Sequence, residues 1–270
     1  MGFFSRKKKK PVIGLTLSGG GMRGIGHIAV LKALEEYHLA PNIISGTSAG
    51  SVVGAFYSLG KSPEEMMEIV RKGTFFSRTS FQFSKNGIFS PNFIVKLLKT
   101  YFDDDDFSCL KIPLHVATTE MTKGNIKFFS EGPLFEILLA SSSVPFVFPP
   151  VRIGDEVHVD GGVLDNFPIE PLVGNCDILI GSHVNSIGYD ELKKLSLIKE
   201  FDRILHLAIA SSVYAKASTC DIFLDPPGMT KFSLFKKTGI EEMWEIVYDY
   251  TCEILEEKGY SKDGVSQPKK

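Results

Sequence analysis

The chain has 270 residues, of which 43% are hydrophobic and 23% are charged, a balance typical of a soluble globular protein. This composition excludes a disordered chain, a collagen and a disulfide-rich scaffold. The net charge is -2 at pH 7, which argues against a dedicated nucleic-acid binder because phosphate contacts require clustered positive charge.

The net charge combines two unlike regions. Residues 1–10 carry a charge of +5, and the remaining 260 residues carry -7. We predict a basic tail over residues 1–10, one folded domain over 11–259 and a C-terminal tail over 260–270. Aromatic residues beside basic ones predict peripheral contact with an anionic membrane surface. The tail contains two aromatic residues, Phe3 and Phe4, and five basic ones, Arg6, Lys7, Lys8, Lys9 and Lys10.

Several other classes of protein are not indicated. The apolar run after the basic tail is shorter than a signal-peptide core, and no stretch reaches the roughly 18 apolar residues of a membrane helix. The four cysteines, at positions 109, 176, 220 and 252, form no C-x-x-C pair, so a reducing, cytoplasmic setting is expected. Four consecutive acids at 103–106 lack the spacing of a calcium loop. We expect no metal and no cofactor.

The first sixty residues predict a strand, a helix, a second strand and a second helix. The strands fall at 12–17 and 42–45, and apolar residues at helical spacing follow each of them. A further helix should begin at Ser62, because S-P-E-E combines an N-cap, a first-turn proline and a capping-box glutamate.

The phenylalanine-rich segment 74–90 shows neither period and is expected to be a loop or cap. The phenylalanines from Phe75 to Phe93 are more often core residues than a lipid-binding surface; if the substrate is a lipid, a cap here is well placed to receive an acyl chain. Six later strands are predicted at 114–119, 126–129, 157–159, 178–181, 204–208 and 222–224. An amphipathic helix is predicted over 240–255. This alternation indicates an α/β fold with a largely parallel sheet.

A glycine-rich loop lies between the first strand and helix, where Gly19, Gly21 and Gly24 satisfy the dinucleotide pattern G-x-G-x-x-G. Dinucleotide binding also needs an acidic residue about 20 positions later, which holds the ribose hydroxyl. No acidic residue occurs between Tyr37 and Lys61, so this residue of the pattern is missing. The exposed backbone amides could instead hold an oxyanion at the helix N-terminus.

The second strand runs into Gly46-Thr47-Ser48-Ala49-Gly50, a G-x-S-x-G nucleophile elbow in a strand-to-helix context. A serine nucleophile needs a base. The chain order Ser-Asp-His would favour His183 or His206, neither of which lies in a motif. Asp160, followed by Gly161 and Gly162 at a strand end, is the other candidate.

These features together resemble the patatin-like phospholipase family, in particular its bacterial serine acyl hydrolases. Four blocks occur in the family's order: SGGGMRG at 18–24, GTSAG at 46–50, ASSSVPFVFP at 140–149 and DGG at 160–162, which leads to Asn166 and Pro168. The resemblance is strong from residue 12 to about 170. It implies a three-layer α/β sandwich with a mostly parallel central sheet.

The resemblance also implies a Ser-Asp dyad, with Ser48 as nucleophile and Asp160 as its direct base. Gly20 and Gly21 would supply oxyanion-hole amides, and Arg23 would support the loop or the developing charge. An ordinary aspartate is a weaker base than histidine by about 2.6 pKa units, and burial would narrow that gap by raising the carboxyl pKa. Supporting glycines would be Gly19, Gly24, Gly46, Gly50, Gly161 and Gly162.

The function implied is hydrolysis of carboxylic esters in lipids, as by a phospholipase A. Alternatives are a general carboxylesterase, a lipid acyltransferase, or a non-catalytic nucleotide-binding protein that uses only the glycine loop. His27 and His158 lie beside the motifs and are expected to be packing residues.

Overall fold

The first strand, β1 (Ile13–Leu17), is buried at all five positions, as expected for a strand covered on both faces. A computed structural model describes residues 10–73, 92–188, 197–234 and 238–263. After β1 come a 3-10 turn (Gly21–Ile25), helix α1 (Gly26–Glu36), strand β2 (Ile43–Thr47) and helix α2 (Ala49–Leu59). The predicted strand-helix-strand-helix order is therefore confirmed.

The predicted capping box is also present. Ser62 accepts a hydrogen bond from the Glu65 amide, and the Glu65 carboxylate accepts one from the Ser62 amide, at the start of α3 (Pro63–Arg71). The remaining described α-helices and strands are α4 (Asn92–Tyr101), β3 (Leu114–Glu120), β4 (Asn125–Phe129), α5 (Leu134–Ser141), β5 (Val151–Ile153), β6 (Glu156–Asp160), β7 (Ile178–Ser182), α6 (Leu197–Ala217), β8 (Ile222–Leu224) and α7 (Ile240–Glu257).

The described strands form one sheet in the order β5-β6-β3-β2-β1-β7-β8, with β4 paired to β3 outside this path. The pairs β1–β2, β1–β7, β2–β3 and β7–β8 are parallel, and the pairs involving β4, β5 and β6 are antiparallel. The chain therefore has the predicted α/β class, with a parallel centre and an antiparallel margin.

Helices cover both faces of the sheet. A large apolar cluster joins strands β1–β3 to residues of α1, α2, α3, α4, α5 and α7. A smaller cluster, formed by Phe167, Ile169, Leu172, Leu179 and Val213, packs α6 on the other face. The two clusters give the three layers expected from the resemblance.

Two element predictions need correction. The apolar run at 204–208 is not a strand, because it lies inside the 21-residue helix α6. Strand β5 was not predicted; it is only three residues long, and none of its side chains is buried. Near the C-terminus, Lys262 Nζ lies 2.7 Å from a Glu36 carboxylate oxygen and over the Tyr37 ring, so the described chain still contacts the body beyond residue 259.

Candidate active site

Ser48 occupies a sharp turn between β2 and α2. Its backbone has φ 52° and ψ -123°, a conformation that costs a non-glycine residue about 1–3 kcal/mol and persists only when its surroundings enforce it. Two serines do so: the Ser48 amide donates to Ser141 Oγ at 2.9 Å, and Ser51 Oγ donates to the Ser48 carbonyl at 2.7 Å. These hydrogen bonds hold the turn in its strained conformation.

The elbow motif contains glycine because α2 begins directly against β1. A Cβ on Gly50 would lie 2.4 Å from the Leu17 carbonyl oxygen. Only a residue without a side chain lets the first turn of the helix approach the strand end this closely.

Ser48 and Asp160 meet because β2 and β6 end against the same edge of β3. Strand β4 occupies one edge of β3 from Val116 to Glu120, so the other two partners share the opposite edge. There Thr47, the last residue of β2, pairs with Ala117, and Asp160, the last residue of β6, pairs with Thr118. The two strands run toward each other and place the two side chains side by side.

Asp160 is buried, with only 5% of its surface exposed. Burial raises the pKa of its carboxyl to about 6, although hydrogen bonds from the Ser48 hydroxyl and the Gly162 amide lower it in part. The Gly162 amide donates to Asp160 Oδ1 at 2.7 Å. The rise in pKa expected from burial is therefore present, and the carboxyl is still mostly ionised at pH 7.

The glycine loop lies directly beside Ser48. A Cβ on Gly19 would come within 3.2 Å of Ser48 Cβ. Gly21 has φ +53°, and a Cβ there would lie 2.4 Å from the Leu234 carbonyl oxygen, so only glycine fits. Among the described residues, no partner is recorded for the amides of Gly20 and Gly21, whereas the amides of Gly19 and Met22 donate to Asn166 O and Leu234 O.

Side chains from distant segments hold this loop. Asn185 Nδ2 donates to the Gly19 carbonyl at 2.6 Å, and Asn166 Nδ2 donates to the same oxygen at 3.4 Å. Arg23 is buried, and its guanidinium donates to Phe232 O at 2.9 Å and to Asn185 Oδ1 at 3.3 Å. These contacts fit the first of the two roles considered for Arg23, support of the loop.

The remaining predicted glycines lie at contacts between the motifs. A Cβ on Gly24 would meet Ala49 Cβ at 2.6 Å, and one on Gly46 would meet the backbone of Gly50 and Ser51 at 2.7 Å. Gly161 follows Asp160 in a 3-10 turn that extends to Val163. The four sequence blocks thus converge on one location.

The histidines near the site are bonded elsewhere. His27 is fully buried. Its Nε2 donates to the Ser18 carbonyl at 2.9 Å, and its Nδ1 lies 2.7 Å from Ser182 Oγ. Burial lowers the pKa of His27 to about 4, so the ring is neutral. His158 Nδ1 lies 2.9 Å from Thr118 Oγ1.

His183 pairs with Asp225 at 3.0 Å and follows β7, two strands away from β2 in the sheet. Because neighbouring strands are about 4.8 Å apart, this pair lies well to the side of Ser48. His206 lies on α6, and its side chain is outside the described part of the structure.

An apolar cavity of about 110 Å³ opens beside Ser48, several times the ~10–15 Å³ that one water needs. Its walls come from the 3-10 turn before α1 and from α1, α2 and α4; they include Ile25, Ile28, Val52, Val53, Ile94 and Leu97. Among the described lining residues, the only polar side chains are those of Ser48 and Ser142.

Two predicted features lie largely outside the described residues. The aromatic and basic residues of the N-terminal tail are not described before Lys10, and the phenylalanine-rich segment is not described between residues 74 and 91. The helices on either side of that segment, α3 and α4, contribute Val70, Ile94 and Leu97 to the cavity.

Two of the four acids at 103–106 bind backbone amides outside this run. Asp105 Oδ1 accepts from the Phe135 amide, and Asp106 Oδ1 accepts from the Ser108 amide. Within the described ranges, no three His, Cys, Asp or Glu residues are grouped as a metal site would need, and no helix there has the length and hydropathy to cross a membrane.

The sequence matches the family described as patatin-like phospholipase over residues 15–173, more than half of the chain. The chain belongs to the patatin-like phospholipase family. The match includes the elbow, the glycine loop, the serine-rich block and the D-G-G block, and it ends before Asn185.

Curated relatives of this patatin-like chain are longer proteins. An uncharacterized NTE family protein of Mycobacterium tuberculosis is 30% identical over 183 residues, which are 67% of this chain and 51% of that protein. Lysophospholipase nte1 of Aspergillus fumigatus is also 30% identical over 183 residues, covering 65% of this chain but 12% of that protein. The chain thus spans about half the length of the first of these relatives and far less of the second.

A solved structure shares the fold. VipD from Legionella pneumophila superposes with a TM-score of 0.59 at 14% identity, covering 92% of this chain and 67% of that chain. At this identity the likeness concerns the fold alone.

Sequence patterns missed two residues that hold the site. Ser141 lies in the serine-rich block, but nothing in that block indicates which of its hydroxyls reaches the Ser48 amide. Asn185 follows β7 without any motif, so only the three-dimensional arrangement reveals its bond to Gly19. Both residues act through neighbours that are distant in the chain.

Proposed function

We propose that this chain hydrolyses carboxylic esters of lipids through an acyl-enzyme on Ser48, with Asp160 as the general base. The observation that supports this most strongly is the meeting of Ser48 with a buried carboxylate at the mouth of an apolar cavity. An ester whose carbonyl reaches Ser48 can place its acyl chain in that cavity, where chain and walls are both removed from water.

In the first half-reaction, Ser48 Oγ attacks the ester carbonyl carbon and its proton passes to Asp160. The carbonyl oxygen becomes an oxyanion, and the unpartnered amides of Gly20 and Gly21 are suited to bind it. The tetrahedral intermediate collapses as the bond to the alkoxy oxygen breaks, and Asp160 returns the proton to that oxygen. The alcohol leaves and the acyl group stays on Ser48.

In the second half-reaction, a water attacks the acyl-enzyme and gives one proton to Asp160. The bond to Ser48 Oγ breaks, Ser48 regains the proton, and the free acid departs. Each half-reaction moves one proton to Asp160 and back, so the chemistry requires neither a metal nor a histidine.

Paired variants test this assignment. Ser48→Ala and Asp160→Asn should each abolish hydrolysis of a phospholipid and of a soluble short-chain ester. Asp160→Asn should remain folded, because an asparagine can still accept from the Gly162 amide and donate to Ser48. Ser58→Ala, on the same helix but remote from the cavity, is the control and should keep full activity.

The same assays separate the alternatives. Retained hydrolysis in a folded Asp160→Asn protein would exclude the dyad. Full activity confined to short-chain esters would indicate a general carboxylesterase, and faster transfer to an added alcohol than to water would indicate an acyltransferase. Absence of turnover on phospholipid, galactolipid, triacylglycerol and short-chain ester alike would contradict the proposed function.

A further inference from the structure

Ser142 carries a buried hydroxyl whose bonding capacity is unused. The residue is 9% exposed, and Ser142 Oγ has no hydrogen-bond partner among the described residues. Leaving such a group unpaired is unfavourable for folding, because the hydroxyl loses its hydrogen bonds to water without gaining others. Its neighbours differ, because Ser141 Oγ donates to Ala117 O and Ser143 Oγ donates to Leu139 O.

The unused hydroxyl lies between the attachments of the two proposed catalytic residues. On one side, Ser141 Oγ accepts from the Ser48 amide. On the other, the Ser143 carbonyl accepts from the Asp160 amide at 3.0 Å. Ser142 also lines the apolar cavity together with Ser48, so its unpaired hydroxyl lies at the wall of the space in which an ester would react.

Ser142 and the glycine loop lie on different sides of Ser48. Helix α5, which ends at Ser141, packs on β3 and β6, whereas the glycine loop follows β1, and β2 lies between β1 and β3. Ser142 therefore lies on the β3 and β6 side of Ser48, which also carries Asp160, whereas the glycine loop lies on the β1 side.

An ester brings two oxygens to such a site. The carbonyl oxygen is matched by the glycine amides. The alkoxy oxygen must receive its proton from Asp160 and so must lie on the Asp160 side, and the attacking water takes its place in the second half-reaction. The methylenes of an acyl chain offer no partner to a hydroxyl, so this oxygen is the group that Ser142 can bind.

We propose that the Ser142 hydroxyl hydrogen-bonds to the oxygen that leaves during acylation and to the water that attacks during deacylation. Ser142 thereby orients this oxygen toward Asp160 and neither gains nor loses a proton itself. The inference rests on the proposed function, and it makes Ser142 a third substrate-contacting side chain beside Ser48 and Asp160.

The test compares two buried serines that share one property. Ser58 is fully buried, and its hydroxyl also has no partner among the described residues. It lies ten residues after Ser48, about 15 Å along α2. Ser142→Ala and Ser58→Ala therefore remove equivalent groups, one at the site and one away from it.

For Ser142→Ala we expect kcat on a soluble aliphatic ester to fall about tenfold, as for loss of one hydrogen bond in the transition state, with KM little changed. Thermal stability should stay equal or rise, because an unpaired buried hydroxyl is removed. Ser142→Thr, which keeps the hydroxyl, should retain most of the activity, and Ser58→Ala should retain all of it.

Unchanged kcat in Ser142→Ala would overturn the inference, and so would a fall in kcat accompanied by an equal fall in Ser142→Thr or by a lower melting temperature. Ser48→Ala is measured in parallel. If Ser48→Ala retains hydrolysis, the proposed function itself fails; if it is inactive while Ser142→Ala is fully active, only the role of Ser142 fails.

Discussion

At the scale of single residues, Asp160 sets the pH range of the proposed chemistry. A base must be ionised to accept a proton, and the pKa of this carboxyl is raised to about 6 by burial. We predict that kcat/KM falls below about pH 6, by tenfold per unit, whereas an unburied aspartate would place this decline near pH 4. A pH profile with a soluble ester measures it.

Ionisation of Asp160 has opposite effects on activity and on stability: as the pH rises, activity increases and the contribution of this residue to folding decreases. The folded protein binds the Asp160 proton more tightly than the unfolded chain, so this residue favours folding most below about pH 4, and the contribution is lost as pH rises through about 6. Asp160→Asn is the control, because asparagine does not titrate. The melting temperature of the variant minus that of the parent protein should increase between pH 5 and pH 7. If this difference stays constant, burial does not raise the pKa of Asp160 as described.

Sequence motifs could locate Ser48 and Asp160 because each follows a strand and is flanked by glycines that allow sharp turns. They could not show that the two residues meet, since that depends on β2 and β6 sharing one edge of β3. They also could not distinguish Ser141, whose hydroxyl accepts from the Ser48 amide, from Ser142, whose hydroxyl has no partner among the described residues, because the three serines of this run look alike in the sequence.

At the scale of elements, the predicted strand at 204–208 is the main prediction that is wrong, because these residues lie in helix α6. Ile204, Leu207 and neighbouring residues form a short apolar run that suits a buried strand or a helix equally well. In the structure Ile204 and Leu207 are exposed, and α6 contacts the core through Val213. Periodicity alone could not reveal which residues of this run face the body.

The end of α6 secures the loop after Asp160. Lys216 Nζ lies 2.7 Å from Asp165 Oδ1 and 2.7 Å from Glu170 Oε1, and the Asp165 carbonyl accepts from Thr47 Oγ1, next to Ser48. Lys216→Met should lower the free energy of unfolding by about 3 kcal/mol, because it strands a buried carboxylate. Denaturant titration measures this loss.

Two other lysine variants serve as controls for the stability loss expected in Lys216→Met. Lys216→Arg keeps the charge and should lose less stability. Lys72→Met removes a solvent-exposed ion pair with Glu68 and should change stability little. Equal stability losses in Lys216→Met and Lys72→Met would show that the contact with Asp165 has no special role.

At the scale of the whole molecule, the charge of the chain is divided between the basic tail and the acidic remainder. If the substrate is a lipid in an anionic bilayer, the tail is the region suited to attract it, at about 1 kcal/mol per basic residue near the surface. Deleting residues 2–10 should weaken binding to anionic vesicles at low salt and leave hydrolysis of a soluble ester unchanged. Sedimentation with vesicles measures the binding, and unchanged binding would show that the tail does not attract the protein to anionic membranes.

The family and the three-layer architecture could also be predicted from sequence, because four blocks in a fixed order specify how β1, β2 and β6 end. The volume and walls of the apolar cavity could not. They depend on α4 and on the turns of α1 and α2 that face each other, and Ile28, Val53 and Leu97 have no sequence feature that separates them from ordinary core residues.

In the proposed reaction Ser48 is the nucleophile and Asp160 activates it. Labelling with a fluorophosphonate, followed by mass spectrometry of the digested protein, tests this most directly. We predict one label per chain, on Ser48, with labelling much slower in Asp160→Asn and absent in Ser48→Ala. Labelling of another residue, or an equal rate in Asp160→Asn, would contradict the claim.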